Sequence, residues 1–396
     1  MKALLLENIH SEAVRALEGR GYQVELRSGA LGEAELADAL EGVELLGIRS
    51  RTHITGTVLK AHPQLLAVGA FCIGTNQIDL PAAAAAGVAV FNAPYSNTRS
   101  VVELALGEII TMARRLGDKN ASMHAGIWDK SANGSHEVRG RTLGIVGYGN
   151  IGSQLSVLAE AMGMKVYFYD VVDRLALGNA TRVDSMQELF ETCETISLHV
   201  DGRASNARLI GEREFAQMRP RTLFLNLCRG NVVDVDALAA ALQSGHIAGA
   251  AVDVFPDEPK SKDELFVSPL QGISNVILTP HVGGSTLEAQ VDIGRYVAGK
   301  LADYEAYGNT SMAVNLPEVS VPVPQAERIL HLHRNVPGVL ARLNHTLAGH
   351  NMNIGSQTLS TLGEYGYVVT DVSGQHYEGL LAELQALEES IRVRMI

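Results

Sequence analysis

Thr142-Leu143-Gly144-Ile145-Val146-Gly147-Tyr148-Gly149-Asn150-Ile151-Gly152 decides how this chain folds. A short apolar strand runs into a G-x-G-x-x-G turn and then into a helical pattern. A second strand, Lys165-Val166-Tyr167-Phe168-Tyr169, ends on the acid Asp170. The glycines act mechanically, since Gly147 permits the tight turn, Gly149 lets the backbone approach a pyrophosphate, and Gly152 lets the helix pack against the strand. The helix start at Asn150 and Ile151 then presents free N–H groups and a positive dipole end to phosphates.

Asp170 stands 18 residues beyond Gly152, where a carboxylate accepts both hydroxyls of an adenosine ribose and repels a 2′-phosphate. The expected cofactor is therefore NAD rather than NADP. Arg174 follows and is expected to point into solvent. A glycine-rich turn alone is a weak signal, but two strands, a helix and an acid at these spacings make a dinucleotide site.

The rest of the composition fits such an enzyme. The chain has 396 residues, 46% of them hydrophobic and 19% charged, enough for two or three domains with cores of their own. The net charge of −12 and the lack of a basic run argue against nucleic acid as a partner. An anionic substrate would need a local cluster of positive groups. Cys72, Cys193 and Cys228 are widely spaced and fit neither a disulfide framework nor a zinc site, so no metal is expected and the compartment reads as reducing and cytoplasmic. The apolar start at residues 1–6 is too short for a signal peptide and reads as a strand, and no segment is apolar enough to span a membrane.

Ahead of the turn, residues 2–7, 23–26, 45–49, 65–70 and 88–91 read as strands separated by helical patterns, the rhythm of a parallel sheet. A long helix is expected from Asn97 to Leu116, capped by Ser100-Val101-Val102-Glu103, and a second from the Ser285-Thr286-Leu287-Glu288 box to Tyr307. The fold class is thus α/β, with two Rossmann-like doubly wound sheets. Residues 1–97 and 287–318 form a discontinuous substrate domain, and residues 98–286 form the NAD domain. Proline-rich residues 319–326 are a linker. Residues 327–396 follow the order βαββαβ of a ferredoxin-like sandwich, with Pro337 in the first helical turn and a second helix over 377–389.

Three residues after the cofactor turn sit where strands give way to loops. Arg229 can grip a carboxylate with two parallel bonds. His281 titrates near working pH and can take the proton that leaves an alcohol oxygen as a hydride leaves carbon. Glu258 can hold the other ring nitrogen. Singly, each has a bland reading, as a surface ion pair, a residue at a helix start, or a turn residue before proline; their order and contexts favour chemistry.

At these residues the chain resembles the D-isomer-specific 2-hydroxyacid dehydrogenase family over its first 310 residues or so. The stretches Gly47-Ile48-Arg49-Ser50-Arg51-Thr52, Cys72-Ile73-Gly74-Thr75-Asn76 and Asn92-Ala93-Pro94-Tyr95-Ser96-Asn97 carry the likeness, with the glycine turn and the Arg229, Glu258 and His281 contexts. Within the family it resembles the short members that carry a C-terminal ACT domain. The resemblance implies that His281 is the acid/base catalyst, Glu258 its partner, and Arg229 the ligand of the substrate carboxylate. It implies that Tyr95, Leu227, Cys228, Asp253, Val282, Gly283 and Gly284 lie about the cofactor, and that Arg49, Ser50, Arg51 and Gly74 bind substrate. The implied reaction is oxidation of 3-phospho-D-glycerate to 3-phosphohydroxypyruvate, the entry to serine synthesis; 2-oxoglutarate is a further candidate for reduction. Cys228 departs from the Ser or Ala of relatives and reads as a buried small residue or as an oxidisable thiol.

The segment His331-Leu332-His333-Arg334-Asn335-Val336-Pro337-Gly338 resembles the amino-acid-binding turn of ACT domains. By that resemblance His333, Asn335 and a neighbour's Asn353 would hold L-serine as a feedback inhibitor, in a homotetramer. Val323-Pro324-Gln325-Ala326 replaces a glycine pair that relatives carry in the linker. Trp128, the only tryptophan, reads as an interface anchor or a core residue, and Lys130 as a group that reaches a neighbour's substrate phosphate. Two competing readings stand: a 2-hydroxyacid dehydrogenase for a substrate without phosphate, and a non-enzymatic, dinucleotide-sensing corepressor of the same fold.

Overall fold

The computed structural model describes residues 1–259, 264–374 and 378–396. They form two compact units, residues 1–96 with 290–396, and residues 97–289.

The first unit holds a parallel sheet of β1 (Lys2–Leu5), β2 (Gln23–Leu26), β3 (Leu45–Ile48), β4 (Ala67–Ala70) and β5 (Ala89–Phe91), in the order β2-β1-β3-β4-β5. Successive side chains point to opposite faces, and both faces are apolar, as a sheet covered on both sides requires. Leu4, Leu46, Ile48 and Val68 pack on one side. Ala3, Leu5, Leu45 and Phe91 meet Val297, Leu301 and Tyr304 on the other.

The second unit contributes β6 (Thr142–Val146), β7 (Lys165–Tyr169), β8 (Thr181–Arg182), β9 (Thr195–Leu198), β10 (Thr222–Asn226), β11 (Ile247–Val252) and β12 (Val276–Leu278). They form a parallel sheet in the order β12-β11-β10-β9-β6-β7-β8. The chain leaves β6 towards β7 on one side and returns to β9 on the other. A crevice therefore opens at the carboxyl end of β6, where such sheets bind ligands.

Helix boundaries differ from the sequence expectation at three places. The first long helix is Thr98–Ala113, followed after Arg115 (φ 52°) by a separate helix, Leu116–His124. Ser100 is thus inside the helix and caps nothing: its hydroxyl bonds that of Thr286 at 2.8 Å, while Glu103 pairs with Arg99. The helix Leu287–Tyr307 is capped one residue later than the box suggested, by Thr286 Oγ1, which accepts the Ala289 N–H at 3.1 Å. Pro337 lies outside its helix, Val339–Gly349, because Gly338 before it is left-handed (φ 91°).

The C-terminal module has β13 (Glu327–Arg334), β14 (Asn353–Leu362), β15 (Tyr365–Ser373) and β16 (Ser390–Met395), antiparallel in the order β14-β15-β13-β16. Its second helix is described over Leu380–Gln385; the expected start at Tyr377 lies outside the described residues. The helices cover one face through Ile329, Leu343 and Leu384. The other face is continuous with the core of the first unit, where Leu330, Leu332, Tyr367 and Val369 join Val297 and Tyr304. Gly308, at φ 73°, ends the long helix where a Cβ would stand 2.2 Å from Leu330, and its carbonyl accepts the Tyr367 hydroxyl at 2.9 Å. Arg328, 1% exposed, pairs with Asp371 at 2.6 Å and donates to the carbonyls of Tyr307 and Pro322. The linker thus runs beside a packed face.

Candidate active site

Gly147 follows β6 at φ 92°, and a Cβ there would stand 2.5 Å from the carbonyl oxygen of His199. Gly152 admits no Cβ either, since the Gly147 carbonyl oxygen would be 2.2 Å away. Gly149 differs: nothing lies within 4 Å of where its Cβ would be. That open space fronts the helix Asn150–Ala161, whose first N–H groups have no partner within the helix. The two crowded glycines shape the turn and the open one leaves room for a pyrophosphate, so the residues fit NAD. Asp170, just past β7, accepts the Tyr148 N–H at Oδ2 and the Val172 N–H at Oδ1, both at 2.8 Å. Arg174 is half-exposed but does not simply point away: its Nε sits 3.8 Å from Asp170 Oδ2, drawn by the opposite charge.

Three strand ends place the reactive groups. At the end of β10, buried Asn226 accepts the Cys228 N–H at 3.3 Å and its thiol at 3.1 Å, and donates to the Arg229 carbonyl at 3.2 Å. It thereby fixes the loop Leu227–Cys228–Arg229. Burial pushes the Cys228 thiol above its ordinary value, so it is the buried small residue of the two readings. Arg229 Nη1 donates to the Cys228 carbonyl at 2.6 Å.

Beyond β11, Asp253 is 1% exposed and organises the loop that carries His281. Its Oδ1 accepts the Thr279 hydroxyl at 2.5 Å and the Val282 N–H at 2.8 Å; its Oδ2 accepts the Gly283 N–H at 2.8 Å. Its carbonyl accepts the His281 N–H at 2.8 Å. His281 is held left-handed at φ 54°, a conformation that needs such support. Gly284 lies so near Asn97 that a Cβ would be 2.0 Å from its amide nitrogen.

His281 Nδ1 lies 2.9 and 3.1 Å from the two carboxylate oxygens of Glu258, whose Oε1 also accepts the Phe255 N–H at 3.1 Å. The hydrogen bond that His281 donates to Glu258 raises the His281 pKa above an ordinary imidazole, outweighing desolvation. For Glu258, burial acts upward, but the His281 and Phe255 hydrogen bonds together hold it below the usual carboxylate range. Arg229 is close enough for its charge to lower both. With Nδ1 occupied, Nε2 is the free basic atom of the ring.

Sequence reasoning missed several supports. Glu108, on the helix Thr98–Ala113, is buried, neither carboxyl oxygen has a partner among the described residues, and burial beside Asp253 pushes it up to about 8. In the first unit, Glu7 accepts the N–H groups of Arg49, Arg51 and Thr52 at 3.2, 3.0 and 2.8 Å. Gln77 Nε2 donates to the Arg49 carbonyl at 2.5 Å. The loop is therefore pinned by its backbone, which leaves both guanidiniums without an ion pair among the described residues. Gly74 follows on the neighbouring strand-end loop, where a Cβ would be 2.9 Å from Asn76 Oδ1, and Tyr95 is half-exposed. No sequence signal links Glu7 to residues more than forty positions away.

In the C-terminal module the His333 ring is buried against Gly366, with Nδ1 donating to the Arg334 carbonyl at 2.7 Å and Nε2 without a partner among the described residues. Asn335 donates to the Gly363 carbonyl at 3.1 Å, and Asn353 begins the exposed edge strand β14. Trp128 is 71% exposed, so the core reading fails; Lys130 lies 5.8 Å from its ring centroid. Among the described residues no cluster of histidines, cysteines and carboxylates could hold a metal, and no helix is long and apolar enough to cross a membrane.

Residues 106–283 match the NAD-binding domain of the D-isomer specific 2-hydroxyacid dehydrogenases, and residues 329–392 match an ACT domain like that of the AHAS small subunit. The solved structure of D-2-hydroxyisocaproate dehydrogenase superposes with a TM-score of 0.73 at 25% identity, covering 80% of this chain and 100% of its own. The fold is that of an NAD-dependent dehydrogenase of the D-isomer specific 2-hydroxyacid class. A D-3-phosphoglycerate dehydrogenase of Haemophilus influenzae is 50% identical, and one of Escherichia coli 47%, each alignment covering 100% of this chain and 97% of the relative. The chain belongs to the D-3-phosphoglycerate dehydrogenase family.

Proposed function

We propose that this enzyme oxidises 3-phospho-D-glycerate to 3-phosphohydroxypyruvate with NAD, the first step of L-serine synthesis. Likeness along the whole chain, the ACT domain included, to enzymes named for that substrate carries the reading. NAD supplies the hydride acceptor. His281 Nε2 takes the proton from the hydroxyl oxygen on the carbon that loses hydride, and Glu258 stabilises the imidazolium that results. Arg229 holds the carboxylate and the oxygen that becomes a carbonyl. Arg49 and Arg51 neutralise the phosphate, with Ser50 and Gly74 beside it; the absence of ion pairs at both guanidiniums among the described residues supports this. The second carboxylate of 2-oxoglutarate imitates that phosphate, so its reduction to 2-hydroxyglutarate is a second activity of the same site.

L-Serine is the proposed ligand of His333, Asn335 and a neighbouring Asn353, acting as feedback inhibitor. A cytoplasmic homotetramer is the proposed assembly, with exposed Trp128 as an interface anchor and Lys130 reaching the neighbour's substrate. An NADH-formation assay with 3-phosphoglycerate, glycerate and D-lactate tests the substrate: turnover should favour the phosphorylated acid, and a preference for either of the others would refute it. Unchanged rate with added L-serine would refute the inhibitor.

A further inference from the structure

The amino-terminal edge of the seven-stranded sheet, remote from the dinucleotide turn, holds a cavity of about 360 Å³ lined by Arg115, Arg141, His136, Arg219 and Arg221. Arg141 immediately precedes β6 and Gly147 immediately follows it, so the length of that strand, roughly 16 Å, separates the two ends. The cavity is therefore not part of the cofactor site.

Some of these cations have structural partners. Arg115 pairs with Asp118 at 2.6 Å, and Arg219 donates to the Thr192 carbonyl at the end of the helix Met186–Thr192, as a cation at a helix C-terminus should. Arg141 is only partly accounted for in this way, and Arg221 not at all among the described residues. Arg141 is 17% exposed; its Nη2 is 3.4 Å from Glu194, a carboxylate that also accepts the Thr142 N–H, and its Nε is buried with no partner among the described residues. Arg221 makes no side-chain hydrogen bond or ion pair among the described residues. Its backbone is left-handed, at φ 71°, fixed by an N–H bond to the His246 carbonyl at 2.6 Å. A residue with a Cβ is disfavoured there and glycine is not. Glu194 lines the cavity and Asp118 pairs with Arg115 beside it, two carboxylates against four guanidiniums, so the cavity is cationic in a chain of net charge −12.

We propose that this cavity binds the phosphate group of a small anionic metabolite, with Arg141 and Arg221 as its principal ligands. Guanidinium forks match phosphate oxygens in pairs, and the volume suits a phosphate ester rather than a bare ion. Arg221 thus occupies a glycine-favouring turn because its charge is needed in the cavity it lines.

The probe is inorganic pyrophosphate at constant ionic strength, read by thermal unfolding and by equilibrium dialysis. Saturating NADH keeps the probe off the glycine turn. The series is run in protein carrying Arg49→Ala and Arg51→Ala, which removes the other phosphate-binding loop. Expected are a saturable rise in Tm and one pyrophosphate bound per chain. Arg221→Gly should weaken that binding about tenfold, the loss of one charge-assisted pair. Its ligand-free Tm should equal or exceed that of the parent, because glycine accepts the turn. Arg141→Met should weaken binding as much. No saturable binding up to about 10 mM would overturn the proposal, and so would parental affinity in Arg221→Gly, which folds whatever Arg141→Met does.

Discussion

His281 Nδ1 stands 2.9 Å from Oε2 of Glu258, and this single contact fixes which ring nitrogen is free to react. Glu258 raises the proton affinity of His281 above the ordinary 6.5, with burial opposing it. Alcohol oxidation needs the ring unprotonated at the start. The kcat/KM for oxidation should therefore rise with pH through an inflection above about 6.5, and carbonyl reduction should fall through the same range. Glu258→Gln removes the charge that raises the ring, so the inflection should move down while the plateau rate drops about 100-fold. An unmoved inflection would dissolve the pairing.

The acid after β7 sets the choice of cofactor. Asp170 already accepts two backbone N–H groups and has Arg174 at 3.8 Å, so a carboxylate there is well supported and a 2′-phosphate beside it is not. Asp170→Asn keeps an acceptor and removes the charge, leaving Arg174 to serve a phosphate. The ratio of kcat/KM for NAD over NADP should fall at least about tenfold, the size of a lost charge-assisted hydrogen bond. A ratio that stays constant would show that Asp170 does not face the ribose.

What the sequence made legible was local. The three glycines of the turn, the acid after the next strand and the apolar runs of the strands are read within a short window, because backbone geometry and periodicity act over that range. Ser100 misled for the same reason: a capping pattern is local, but its hydroxyl is claimed by Thr286, 186 residues on. Glu7 under the Arg49–Thr52 loop, and Asp253 under the His281 loop, join residues whose nearness only the folded sheet creates. The packed face beneath the proline-rich linker was hidden likewise, since alternation in β13 shows two apolar faces without saying what covers the second.

That packed face makes a prediction. Arg392, on β16, donates to the carbonyls of Leu65, Pro63 and Ala86 at 2.7, 2.9 and 3.1 Å. Its entry is allowed by Gly87, where a Cβ would stand 2.9 Å from Arg392 Cβ. Arg392→Met keeps the stem and orphans three carbonyls, which should cost about 2–4 kcal/mol of docking. Limited proteolysis should then cut within residues 317–326 far faster than in the parent. Equal cutting rates would mean that the apolar contacts hold the module alone.

Glu108 links stability to pH in the direction opposite to a salt-bridged carboxylate. Burial, with Asp253 adding to it, raises its pKa from 4.5 to about 8 in the folded chain. Between those values the unfolded chain has released the proton that the folded chain keeps, so stability falls as pH climbs from about 4.5 to about 8 and then levels. The whole effect is at most about 5 kcal/mol. Glu108→Gln has nearly the same shape and cannot ionise. Its Tm should match the parent's at and below about pH 4 and exceed it by a growing margin up to about pH 8.5; a constant margin would place the carboxyl's ionisation elsewhere. Because Asp253 holds the loop of His281, ionised Glu108 beside it adds a second negative charge under that loop. The parent's kcat for oxidation should consequently decline above about pH 8, and Glu108→Gln should abolish that decline while leaving the His281 limb at lower pH in place.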